Sequence, residues 1–181
     1  MTDKVPILFV LGPSGAGKTT FGRCVKTNLD FLWIDIDPMP NVDGIDLAGL
    51  RTEWDEFFNA CHAGAIATTL RGRVSKGGTR GAVLTFSSLV VFSSPQLAAL
   101  KKAGIRVLIL YGSQEDCLAA FLKRERETGR NLTEEHWRRH NCDTHKRLGD
   151  SSYDPYRVTV FQAGHFLDCA TLMAAVKKHI G

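Results

Sequence analysis

The sequence predicts an α/β fold, a three-layer sandwich in which helices cover both faces of a five-stranded parallel sheet. Three observations predict it. Strand-like apolar runs alternate with helix-period segments five times along the chain. The first run, Val5 to Leu11, is continuously apolar rather than alternating, as a central strand covered on both faces requires. It ends in a glycine-rich turn that leads directly into a helical pattern.

Each element follows from local chemistry. After the turn, Lys18 to Asn28 reads as a helix, with Phe21, Cys24, Val25 and Leu29 at helical spacing. Phe31 to Asp35 is a second strand, stopped where Asp37-Pro38-Met39-Pro40 prevents the ladder from continuing. Asp46 to His62 carries Leu47, Leu50, Trp54, Phe57, Phe58 and Cys61 on one helical stripe, and a second helix runs over about 66–73. Ser75 to Gly81 is a turn by composition, and Ala82 to Phe86 a third strand. Ser94-Pro95 opens a helix that Gly104 ends. Ile105 to Tyr111 is the fourth strand, followed by helices over 114–126 and 133–148, the latter capped by Thr133. Arg157 to Phe161 is the fifth strand, and Asp168 caps a closing helix through Ile180.

The 181 residues, 44% of them hydrophobic, suffice for one domain with a mobile insertion. With 23 basic and 19 acidic side chains the formal charge is +4, which suits an anionic ligand and does not call for nucleic acid. No stretch approaches the roughly 18 apolar residues of a membrane span, and the opening run is a strand rather than a signal peptide. Cys24, Cys61, Cys117, Cys142 and Cys169 show no metal or redox spacing, so reduced thiols in a cytoplasmic protein are expected.

The turn is Gly12-Pro13-Ser14-Gly15-Ala16-Gly17-Lys18-Thr19, a G-x-x-x-x-G-K-[ST] phosphate loop in its required strand-to-helix context. Glycines allow several main-chain N–H groups to converge on one point, and the helix start adds its positive end. Lys18 supplies a full charge to the phosphates and the Thr19 hydroxyl is placed to ligate Mg²⁺, with Thr20 one residue out of register. The ligands expected are therefore ATP and Mg²⁺. Asp35 and Asp37 flank Ile36 at the end of the second strand, so in extended chain they point to one side. Ligands of doubly wound sheets sit beyond the carboxyl ends of the strands, beside the loop.

With these residues the chain resembles the small-molecule and nucleotide kinases of the P-loop type, in particular shikimate and gluconate kinases. The resemblance rests on the loop near the start, the acids ending the second strand and the arginine-rich segment after the fourth. It implies a nucleotide-kinase-like fold with a lid at about 123–133 and an acceptor-binding region at about 37–80. It also implies metal binding by Asp35 and acceptance of the acceptor's proton by Asp37. In the lid, Arg126 and Arg130 are the candidates for phosphate contacts and Arg124 for stacking on adenine. Arg51, Arg71 and Arg73 are candidates for holding an anionic group of the acceptor. This sequence departs from shikimate kinases in having Glu53-Trp54 after Arg51, and Thr85-Phe86-Ser87-Ser88 where they carry three glycines.

The implied activity is transfer of the terminal phosphate of MgATP to a hydroxyl of a small anionic metabolite. Two rivals stand beside it: a kinase of nucleosides, nucleotides or nucleic-acid 5′ ends, and a nucleotide-binding regulatory module without transfer activity. The third strand ends Leu84-Thr85-Phe86, without the aspartate that motors and transporters place there. His136 and His140 are four residues apart, but Trp137 stands where the metalloprotease motif needs glutamate, so a solvated pair is expected.

Overall fold

The computed structural model describes residues 5–36 and 50–180. Five parallel strands form the main sheet: β1 (Ile7–Leu11), β2 (Phe31–Ile36), β3 (Gly81–Phe86), β4 (Ile105–Tyr111) and β5 (Arg157–Thr159). Their order is β2-β3-β1-β4-β5, with β1 central. In register, Val10 stands beside Thr85 of β3 and Leu108 of β4, and Asp35 beside Thr85. The helices are α1 (Lys18–Leu29), α2 (Arg51–Ala60), α3 (Gly64–Gly77), α4 (Ser94–Lys102), α5 (Gln114–Glu127), α6 (Glu134–Leu148) and α7 (Cys169–Ile180).

Alternate residues of the strands feed two cores. Ile7, Phe9 and Leu11 join Leu84, Phe86, Val107 and Ile109 against α2, α3 and α4. Leu8 and Val10 join Val83, Leu108 and Leu110 against α1, α5, α6 and α7. Every residue of β1 is wholly buried, which is why its run is apolar without alternation. Each fully buried aliphatic or aromatic side chain contributes about 1.5–3 kcal/mol, so the central strand is the firmest support available to the loop that follows it.

Helix caps match their sequence signals. The Thr133 hydroxyl accepts from His136 N–H at 3.2 Å, Asp168 accepts from Thr171 N–H at 2.7 Å, and Ser93 with Gln96 forms a reciprocal capping box ahead of α4. Three features differ from expectation. α3 extends from Gly64 to Gly77 rather than over 66–73, because the buried stripe of Ile66, Ala67, Leu70 and Val74 carries the helix past Arg73 until Gly78 ends it in the left-handed conformation. The last strand stops at Thr159, and the chain then makes an antiparallel hairpin of β6 (Phe161–Gln162) and β7 (His165–Phe166), turning through Ala163 and Gly164 at φ 48° and 76°. The cysteines are not all reduced: Cys24 on α1 and Cys169 at the start of α7 form a disulfide, Cα atoms 5.8 Å apart. These helices pack side by side on one face, which brings together two residues 145 apart in sequence. Among the described residues no helix is long and apolar enough to cross a membrane.

Candidate active site

The chain leaves β1 into the glycine loop at the centre of the sheet, where β3 lies on one side and β4 on the other. Helix α1 covers one face and the β3–α4–β4 connection the other, which puts the ligand crevice expected of a doubly wound sheet at this end. Gly15 adopts φ 90°, and a Cβ there would collide with the Cys117 carbonyl of α5. Gly17 adopts φ 74° as the residue before α1, and a Cβ there would meet the Phe166 ring of the hairpin. Only glycine satisfies both the dihedral and the space. The loop is closed by Ala16 N–H donating to Pro13 O at 3.2 Å, and α1 begins with Phe21 N–H donating to Gly17 O at 2.8 Å.

The start of α1 has no acidic residue in its first turn and no side-chain cap among the described residues. Its N-terminal amides therefore keep their capacity for an anion. Lys18 Nζ donates to Gly12 O at 2.7 Å and Pro13 O at 3.0 Å, folded back along the loop. Thr19 and Thr20 are exposed at the helix start. Buried Cys117 lies under the loop; burial pushes its thiol up to about 12, against an opposing pull from Lys18.

Asp35 closes the crevice from the β2 side. Its Oδ1 accepts from the Thr85 hydroxyl at 2.7 Å, and that hydroxyl accepts from Trp33 Nε1–H at 3.1 Å. Trp33 packs against Gly22 of α1. Trp33 and Asp35, two residues apart on β2, lie on the same side of the strand, so the carboxylate is on the α1 face of the sheet near the carboxyl end of β2. Asp37 lies outside the described residues.

In the last turn of α5, Arg124 donates to Glu125 Oε1 through Nε and Nη2 at 3.0 and 2.8 Å, and its guanidinium lies 5.3 Å from the centre of the Phe121 ring. Arg130 Nη2 donates to the same oxygen at 3.0 Å. Glu125 itself is buried, and Arg126 is exposed. Arg51 begins α2, but its side chain lies outside the described part of the structure. Arg71 is not brought to the loop. Its Nη2 donates to Ala103 O at 2.8 Å, where α4 turns into β4, at the end of the sheet opposite the loop. Arg73 lies in the same half of α3, which descends away from the crevice toward the start of β3.

Other residues at the loop were not singled out by sequence. Ser14 N–H donates to Asn141 Oδ1 at 2.7 Å, Ser14 O accepts from Trp137 Nε1–H at 2.9 Å, and Ser14 Oγ bonds Ser88 Oγ at 3.0 Å. Thr85, Glu125 and Phe166 likewise gain their places from tertiary packing. The one available signal was Trp137, an aromatic residue in an otherwise polar helix. The His136 and His140 rings lie 4.6 Å apart, tilted at 49°, and among the described residues no group of three or more potential ligands could hold a metal.

Solved structures share this fold. A gluconokinase from Sinorhizobium meliloti 1021 is similar with a TM-score of 0.52 and 16% identity, over 98% of this chain and 92% of that one. A sugar kinase from Janibacter sp. HTCC2649 is similar with a TM-score of 0.51 and 15% identity, over 97% and 94%. An uncharacterized protein from Eubacterium ventriosum ATCC 27560 gives 0.54 and 11%, over 98% of each chain. The five-stranded parallel sheet with helices on both faces is thus the P-loop kinase fold. No protein-family model matches the sequence, and no curated protein matches it.

Proposed function

From the P-loop kinase fold and the loop it carries, we propose that the chain is an ATP-dependent phosphotransferase moving the terminal phosphate of MgATP to a hydroxyl of a small, anionic metabolite. The observation that carries this reading is the junction of Gly12 to Thr19 with an uncapped helix start, on the face of the sheet that also carries the Asp35 carboxylate. Amides of Gly15 and of residues 17–19 donate to the phosphate oxygens, and Lys18 exchanges its two loop carbonyls for the charge of the terminal phosphates.

The donor set fits Mg²⁺, which takes few protein oxygens and keeps several waters. Thr19 offers an exposed hydroxyl, and Asp35 has its Oδ1 fixed by Thr85 while Oδ2 accepts no hydrogen bond among the described residues. The ion, when bound, neutralises charge on the phosphate oxygens. Asp37 is assigned the acceptor's proton. Arg126 and Arg130 meet the spreading charge when the 123–133 segment closes and excludes water, and Arg130 is already oriented by Glu125. Arg51 at the head of α2 is the cation for an anionic group on the acceptor, a role Arg71 is too distant to share. The unit proposed is a single domain.

A nucleoside-type acceptor is the second reading, favoured by an aromatic shelf at the same end of the sheet. Trp54, Phe57, Phe58, Phe86 and Phe92 pack edge-to-face or tilted there, Phe58 is 43% exposed, and the buried Trp54 indole N–H has no acceptor among the described residues. A panel of sugar acids, hydroxy acids, nucleosides and 5′-hydroxyl oligonucleotides, assayed for ADP release, separates the readings. The first predicts turnover with an acid and the second with a nucleoside or oligonucleotide. ATP binding with no ADP release from any of them would establish a non-catalytic module instead.

A further inference from the structure

We propose that Asn141 and Trp137 of α6 are positioning residues for the nucleotide-binding loop: they pin Ser14 in place before any nucleotide binds and join the loop to the lid. The inference rests on reading residues 12–19 as a phosphate loop. Every polar group of Ser14 is engaged by the scaffold, its N–H by Asn141 Oδ1, its carbonyl by Trp137 Nε1–H and its hydroxyl by Ser88. Asn141 is 2% exposed and Trp137 fully buried, so these bonds lie out of competition with water. The amide of Asn141 is oriented internally, because its Nδ2 donates to Trp137 O at 3.0 Å and leaves only Oδ1 to face Ser14.

Two consequences follow for the loop. Pro13 has no N–H and that of Ser14 is occupied, so the phosphate cage begins at Gly15, and the loop's shape up to Ser14 is set by α6 rather than by the ligand. Preorganisation of this kind removes an ordering cost from binding. The second consequence concerns the lid. Trp137 is one helical turn after the Thr133 cap, where the 123–133 segment ends, so the lid arginines move relative to a post fixed on the loop itself.

The test uses the full chain and amide-resolved hydrogen exchange, first without nucleotide and then with MgADP. The proposal predicts a Ser14 amide protected by about 100-fold or more in the free protein and changed by less than about twofold by MgADP, while Gly15, Gly17 and Lys18 become protected only on binding. A Ser14 amide that exchanges freely until MgADP is added overturns it. In parallel, Asn141→Asp keeps an acceptor for Ser14 but loses the donor to Trp137 and sets a negative charge beside the loop. It should raise the MgADP dissociation constant about tenfold or more while leaving the acceptor KM within about twofold, a split that general loosening of the fold does not produce. Asn141→Ala, folded and binding MgADP as tightly as the parent, also overturns the proposal; where neither variant folds, the exchange measurement on the parent chain decides. Loss of MgADP binding by the parent chain would overturn the phosphate-loop reading and this inference together, whereas binding with an unprotected Ser14 overturns the inference alone.

Discussion

Arg71 and Cys117 show how placement decides what a reactive-looking side chain does. Arg71 spends its guanidinium on Ala103 O, tying α3 to the α4–β4 turn. Replacing it with methionine removes a single hydrogen bond, and the expected result is a stability loss of about 1 kcal/mol in urea titration with no change in acceptor KM. Cys117 lies under the phosphate loop with its thiol pushed up by burial from 9.0 to about 12. Since the folded state holds this proton more tightly than the unfolded one, the stabilisation is complete below pH 9 and is lost as pH rises toward 12. Peptide mapping after alkylation of the native protein at pH 8 should find Cys61 and Cys142 modified and Cys117 untouched. Neither outcome was legible in the sequence. An arginine on a helix announces its charge but not its height above the sheet, and nothing local distinguishes Cys117 from Cys142.

At the scale of elements, the β1–loop–α1 unit is where sequence and structure agree most closely, for a physical reason. Strand burial, glycine dihedrals and helix start are all set within about a dozen adjacent residues, so local chemistry determines the shape. The hairpin of β6 and β7 is the opposite case. Two-residue strands carry no periodicity, and the left-handed Ala163 is not a residue that advertises a turn, although Gly164 beside it was a partial signal. The charges of helix α6 conceal its buried side, Trp137, Asn141, Thr144 and Leu148, which becomes visible only in the packed fold. Gly22 tests how firmly α1 is seated. Alanine is favoured over glycine in a free helix by about 1 kcal/mol, but here its Cβ would collide with the Trp33 indole, and overpacking costs about 1–3 kcal/mol. The steric term wins. Gly22→Ala is expected to lower the melting temperature and, by displacing Trp33 from Thr85, to loosen Asp35 and raise the magnesium concentration needed for half-maximal activity. Unchanged melting and magnesium dependence would show that Trp33 moves aside freely.

For the molecule as a whole, the sheet order and the Cys24–Cys169 bridge decide how the parts hold together. The five-strand alternation was sufficient for the layered architecture, but cysteines 145 residues apart carry no pairing signal until α1 and α7 are seen side by side. The bridge constrains a long loop of the unfolded chain and links the helix that starts at the phosphate loop to the helix following the hairpin that packs on Gly17. Reduction is expected to cost about 2–4 kcal/mol of stability, measured as a shift in urea midpoint with and without reductant. The fold supplies the frame, and the phosphate loop is the proposed seat of the nucleotide. The most direct test of that central claim is calorimetric titration of MgATP into the parent protein and Lys18→Ala, with melting curves of both. The account predicts saturable binding to the parent, weakened about tenfold or more in the variant at closely similar melting temperature. Equal affinity in the two proteins, or no binding by the parent, would contradict it.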